Sequence, residues 1–146
     1  MSHQSAERGF TLIELTIVLA IIGLLVAVAI PNFMRLQAKA RQSEAKVLLG
    51  AIAAREMQYK LESGAFMSCP PNPVAPGKDW DKSMAEWNRI GFAASGPVLY
   101  QYWVEADDAG FMVHAKANLD RDATLDTWSM SSKDLRLKND VNDVSD

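Results

Sequence analysis

Cysteine occurs once in these 146 residues, at Cys69, so no disulfide can form within the chain. A solitary thiol in an oxidising compartment is limited to an intermolecular link or a mixed disulfide, and its plainest role is a small side chain in a loop. Histidine occurs twice, at His3 and His114, and neither sits in a local motif with a serine or cysteine nucleophile. Phosphate-cradling glycine loops and paired-cysteine metal motifs are absent, which leaves an enzyme without positive support. There is no cationic excess: 15 Lys and Arg stand against 18 Asp and Glu, a net charge of −3. A general nucleic-acid binder concentrates basic residues on one face, and no such concentration is seen. The length leaves room for one small globular domain.

Charge is nearly missing from one stretch. Phe10 to Ile30 reads FTLIELTIVLAIIGLLVAVAI and holds a single ionisable residue, Glu14. At about 1.5 Å rise per residue, such a helix crosses a hydrocarbon core of about 30 Å. A charge near the middle of a span costs roughly 2.5 to 3.5 kcal/mol, so a carboxylate in this setting calls for a partner or a function. Two ordinary readings exist. Ala27-Val28-Ala29 satisfies the small-x-small rule of a secretory signal cut before Ile30, and an uncleaved anchor would carry an unrelated domain. The first is too long in its apolar part and interrupted by Glu14, and neither accounts for the glycine before Phe10.

The nine residues MSHQSAERG are short and polar, and the Gly9-Phe10 junction is followed by TLIEL. This segment resembles the class III leader of type IV prepilins, with Gly23 and Pro31 in the same register. The resemblance implies that residues 1–9 are a leader removed after Gly9 by a prepilin peptidase, which methylates the new N-terminus at Phe10. It implies that residues 10–30 anchor the precursor in the inner membrane, with the head in the periplasm. Pilus assembly machinery driven by ATP then extracts the subunit into a helical filament of identical subunits at the cell surface. Glu14 is expected to pair there with the Phe10 amino group of a neighbour, and Gly23 and Pro31 to bracket a segment, 24–30, that opens inside the filament. A type II secretion pseudopilin and a minor pilin share this N-terminal chemistry. The chain lacks the aspartate-proline-tryptophan-glycine stretch found near the end of major pseudopilins, which favours a pilus. Many pilins close a C-terminal loop with a disulfide, and this chain departs from them. Counting cations gives the opposite orientation, because Arg8 precedes the span while Arg35, Lys39, Arg41 and Lys46 follow it. Long domains translocate despite flanking charge, and lipid headgroups are the simple partners of those cations.

After Pro31 the composition favours helix, and Ala45, Leu48, Leu49, Ile52 and Tyr59 repeat at three- and four-residue spacing, with Arg41, Glu44, Lys46 and Lys60 largely off that stripe. Residues 31–63 are expected to form an amphipathic continuation that stops near Gly64. One helix from about Thr11 to Glu62 would be on the order of 75 Å long. Residues 64–97 form a connecting region. Pro70, Pro71, Pro73 and Pro76 mark an irregular stretch from Ala65 to Lys78, and a short helix is expected at Trp80 to Arg89. Trp87 to Ala106 is similar to a run in several pilins that leads into the first strand. In the sheet region, 98–130, strands are expected at Val98–Glu105, Phe111–Asn118 and Thr124–Met130. Asp107 to Gly110 supplies a hairpin turn, and His114 falls on the polar face of the middle strand. Residues 131–146 read as a polar, poorly ordered tail. The fold class is α+β, a long N-terminal helix packed on a small antiparallel sheet.

One loop suggests hard-cation chemistry. Asp120, Asp122, Thr124 and Asp126 place oxygen side chains at alternate positions, as a calcium loop requires. It is not an EF-hand, since Leu125 and Ser131 occupy the positions where glycine and glutamate belong. The bland alternative is a polar strand connection. Trp80, Trp87, Trp103 and Trp128 are expected in helix–sheet packing rather than in a binding surface or electron path.

Overall fold

The computed structural model describes residues 9–119 and 124–144. They divide into two compact units, with the boundary between Leu36 and Gln37. Helix α1 runs from Leu12 to Ser63 and includes Pro31. It ends where glycine permits a left-handed turn: Gly64 has φ of 82°, and its N–H donates to the Lys60 carbonyl at 3.0 Å. In the first unit, every large apolar side chain from Phe10 to Leu36 is exposed.

The second unit is an α+β head. Its sheet has the order β1-β2-β3-β4-β5, all neighbours antiparallel, and so follows the chain without a crossover. The strands are β1 (Cys69–Asn72), β2 (Gln101–Asp107), β3 (Gly110–Ala117), β4 (Asp126–Ser131) and β5 (Leu137–Val141). The three expected strands correspond to β2, β3 and β4, displaced by one to three residues at their ends. Asp107 makes the expected turn by accepting from the Ala109 and Gly110 amides at 2.8 and 2.9 Å.

Two strands were not expected from the sequence. The prolines of Ala65–Lys78 do not make the whole stretch irregular, because β1 lies at the sheet edge, where residues lacking an N–H are tolerated. As far as Val144 the tail is not irregular either. Its middle forms β5, and beyond that Asp143 and Val144 are buried. Strand β5 pairs on one side only and is exposed at four of its five residues, so it needs no alternating apolar pattern and gave no periodic signal. The expected helix over Trp80–Arg89 shrinks to α2, Ala85–Arg89. Trp80 instead enters the core, packing edge-on against Trp87 at 4.8 Å and Phe92 at 5.3 Å.

The head half of α1 buries Ala38, Gln42, Ala45, Leu49, Ile52, Ala53 and Glu56, while Leu48 and Tyr59 are half-buried at the edge of that face. Opposite lie Tyr100, just before β2, and Tyr102, Val104, Val113, Ala115, Trp128 and Met130, from alternate positions of the central strands. Each large side chain so covered contributes about 1.5 to 3 kcal/mol. Two polar residues expected off the stripe also reach the sheet region. Glu44 accepts from the Leu99 amide at 2.8 Å and from the Tyr102 hydroxyl at 3.1 Å, and Arg41 donates to the Leu119 carbonyl at 2.7 Å.

Glu56 is fully buried; one oxygen accepts from the Met67 amide at 3.0 Å, and the other has no partner. Burial pushes its carboxyl above the usual range, and the Met67 bond offsets this only in part. A raised native value means that the folded chain holds the proton more tightly. The associated stability is present below the ordinary carboxyl range and lost as pH rises through the raised value. Glu56→Gln, neutral at every pH and still able to accept from Met67, is therefore expected to melt higher than wild type at pH 8, with the gap closing towards pH 4. Melting of the full chain in detergent at both pH values checks this; a pH-independent gap would contradict it.

Candidate functional site

At the start of α1, Thr11 occupies the N-cap and Glu14 the third helical position. The Thr11 amide and hydroxyl donate to one Glu14 oxygen at 2.9 and 2.7 Å, and the Glu14 amide donates back to the Thr11 hydroxyl at 3.3 Å. This reciprocal pair is a capping box, which satisfies helix-end donors that would otherwise lack partners. The carboxylate in the apolar run thus has a local partner in the single chain. Its signal, threonine followed three residues later by glutamate ahead of an apolar run, is present in the sequence.

Around this group the helix presents mostly hydrocarbon, the Thr16 hydroxyl being turned back onto the Ile13 carbonyl at 2.9 Å. Phe10 is 82% exposed and Leu12 81%. Gly23 and Pro31 both lie inside continuous helix. A methyl group added at Gly23 would meet nothing, so glycine there is not required by packing within the chain. Pro31 has no N–H to offer the carbonyl four residues earlier, which leaves one helical bond unmade.

In the head, polar chemistry gathers on Asp126, which is fully buried. One oxygen accepts from the Tyr100 hydroxyl and the Trp128 indole. The other accepts from Gln42 at 2.9 Å, Asn139 at 3.3 Å and the Asp143 amide at 3.3 Å. Burial, followed by the bond to Asp126, pushes the Tyr100 phenol far up, so it remains a donor across the physiological range. The same cluster fixes the end of the chain: Gln42 also donates to Asn142 at 2.9 Å, and the Leu119 amide donates to Asp143 at 2.9 Å. Sequence reasoning missed this hub because Gln42 and Tyr100 lie far from Asp126 along the chain.

Of the four candidate calcium ligands, Asp126 is therefore turned inward with its lone pairs occupied by protein donors, and Thr124 is exposed. Asp120 and Asp122 lie outside the described residues. Among the described residues no group of three or more His, Cys, Asp and Glu side chains could hold a metal ion. His114 stacks on Trp103 at 4.8 Å on the outer sheet face. Cys69 is buried in β1, and burial, aided by the negative charges of Glu56 and Glu86, pushes its thiol up to about 12. It is a packed thiol rather than a reactive one.

Comparison with known proteins starts from the apolar helix. Residues 4–30 match the family model described as the prokaryotic N-terminal methylation motif. The type IV major pilin protein PilA of Myxococcus xanthus is 41% identical over 113 residues, 77% of this chain and 44% of that protein. The type II secretion system core protein G of Pseudomonas aeruginosa is 30% identical over 135 residues, 84% of this chain and 95% of that protein. The chain belongs to the type IV pilin family. A third relative, the type IV major pilin protein PilE1 of Neisseria gonorrhoeae, is 42% identical over 74 residues, half of this chain and 35% of that protein. This pilin therefore spans less than half the length of the two major pilins and nearly all of the secretion protein.

Truncating Asp126 would leave buried donors on Gln42, Tyr100 and Trp128 without an acceptor, at about 1 to 3 kcal/mol each. Asp126→Ala is expected to cost at least about 3 kcal/mol of stability, by the same amount in calcium and in chelator. Thermal or denaturant unfolding in both conditions tests this, and a loss seen only with calcium would assign the carboxylate to a metal instead.

Proposed function

We propose that this chain is the structural subunit of a type IV pilus, its work being assembly rather than turnover. The observation that carries this is the union of the N-terminal methylation motif with a helix whose apolar side chains are all exposed from Phe10 to Leu36. Such a surface is stable only in lipid or among other helices. The precursor waits in the inner membrane with its head in the periplasm. A prepilin peptidase cuts after Gly9 and methylates Phe10, and the assembly machinery lifts the subunit out of the bilayer. Burial between helices supplies the cohesion, and the pairing of Glu14 with a neighbour's amino group supplies register.

A second reading is favoured by one finding, the nearly whole-length match to a type II secretion core protein, and would make the product a short periplasmic filament. Location separates the two: cells labelled for this chain show long surface fibres if it builds a pilus and none if it builds a secretion filament.

Fibres purified from the native source carry a joint test of processing and helix opening. The subunit mass should correspond to a chain starting at N-methylated Phe10. A start at Ile30 would establish an ordinary secretory signal, and retention of residues 1–9 an uncleaved anchor. In a fibre map, residues 24–30 should depart from helix between Gly23 and Pro31, the two points where backbone entropy and the missing donor weaken it. Continuous helix through that interval would refute the opening.

Capping and register can be separated at Glu14. Gln serves as well as Glu in a capping box but carries no charge, whereas Val provides neither function. Both Glu14→Gln and Glu14→Val should insert into the membrane and both should lose most of the fibre yield, about tenfold or more if a buried ion pair sets register. Normal assembly by Glu14→Gln would show that the carboxylate matters only as a cap.

A further inference from the structure

Besides the stripe that faces the sheet, the head half of α1 carries a second apolar stripe. Val47, Gly50, Ala54, Met57 and Leu61 follow one another at three- and four-residue spacing, and the spacing reaches back through Ser43 and Ala40 to Leu36 and Phe33 in the apolar run. This is a heptad pattern, the 3.5-residue period of helices that coil around one another. The sheet-facing residues Ala45, Leu49 and Ile52 fall between these positions, on another side of the helix. Among the described residues the seam lies uncovered: Val47 is 67% exposed, Met57 42% and Leu61 87%. The polar residues beside it satisfy one another, Arg55 donating to Gln58 at 3.2 Å and Gln58 to Glu62 at 2.9 Å.

Gly50 gives a second, independent sign. A glycine inside a helix costs about 0.5 to 1 kcal/mol relative to alanine. A methyl group added at Gly50 would meet nothing within the chain, so the head supplies no packing reason for it. A glycine in a seam lets the backbone of a second helix come close.

We propose that this seam is a docking surface whose occupant is the same seam of a second copy of this chain, before either copy enters a filament. Two precursors anchored by the same N-terminal run point the same way across the membrane, so their helices meet parallel, about a two-fold axis along the membrane normal. Val47, Ala54 and Leu61 then take the a positions of a parallel two-stranded coil, and Ser43, Gly50 and Met57 the d positions. Ser43, the one hydrogen-bonding side chain in that set, meets its own counterpart only when the two helices are in register. The flanks bring no like charges together: Lys39 stands nearest Glu44 of the other copy, and Lys46 nearest its Ala51. Three heptads make a weak pair in solution, but confinement to one bilayer raises the effective concentration of the partner. A two-fold contact closes at two copies, whereas a filament needs head-to-tail contacts, so the pair is a resting form of the precursor that parts before assembly. The inference rests on the anchored precursor of the reading above.

Disulfide trapping in membranes tests it, with the full chain expressed in a bacterial host that lacks pilus machinery. The native thiol of Cys69 is buried, so wild type should yield no cross-linked dimer. Ser43→Cys and Ala54→Cys each place a thiol in the seam and should give at least about fivefold more dimer than the off-seam controls Arg55→Cys and Glu62→Cys. Adding Gly50→Glu sets two carboxylates against each other in the seam, while its first carbon meets nothing inside the chain. It should lower the dimer yield of the Ala54→Cys variant roughly fivefold or more. Equal yields at seam and control positions, no dimer from either seam cysteine, or a yield unchanged by Gly50→Glu overturns the proposal. A chain absent from the membrane fraction would instead overturn the anchored-precursor reading itself.

Discussion

A helix with hydrocarbon on every side cannot remain in water, and much of this molecule's design follows from that constraint. An amphipathic helix is stabilised by one covered stripe; the first unit has no covered stripe at all. Its stability as an element comes from helix propensity, from the Thr11–Glu14 cap and from whatever medium surrounds it. The same element therefore suits either a bilayer or a bundle of like helices, since either medium removes the same surface from water. Cohesion without directional bonds also tolerates sliding, which is why a register role is proposed for the one charged group in the run, Glu14.

The head solves a different problem. It has no disulfide to hold the end of its chain, and its last strand offers little apolar surface. A buried polar cluster takes over that role. Asp126 collects donors from the helix, from two strands and from the chain end, while Glu44 ties the helix to the segment entering β2. Both Asp126 oxygens are satisfied in this network, whereas the buried Asn139 Oδ1 has no partner, and the matched bonds direct the placement of the segment after β5 in a way that non-directional apolar packing does not. The closely spaced hydroxyl, indole and amide donors on one carboxylate also explain why a loop that looks fit for calcium turns its last carboxylate away from solvent.

What could be read from the sequence divides along the range of the interactions. The apolar run, the N-terminal methylation motif, the α1 stripe with Ala45, Leu49 and Ile52, and the hairpin at Asp107–Gly110 depend on neighbours within a few residues, and all were legible. Strand β1 was obscured because proline argues against strands unless one knows that the strand lies at an edge. Strand β5 was obscured because an edge strand exposed at most positions has no periodicity to detect. Gln42, Glu44 and Asp126 were the least accessible: each is a polar residue that looks solvated until the fold brings its partner across the helix–sheet interface.

The capping box changes how Glu14 should be understood. A carboxylate without a partner would bind any nearby amine simply to relieve its isolation, and would do so equally well in many registers. Because Thr11 already supplies two donors, a neighbour's amino group, on the proposed pairing, would have to improve on bonds in place, and only a well-aligned approach would do so. The local cap thereby lowers the gain from pairing and raises its selectivity. Misaligned subunits would lose little by keeping the cap, whereas aligned ones would gain a charge-assisted bond in a medium of low dielectric, where such bonds are strongest. On the proposed pairing, register would follow from the difference between two satisfied states of the same residue rather than from the rescue of an unsatisfied one.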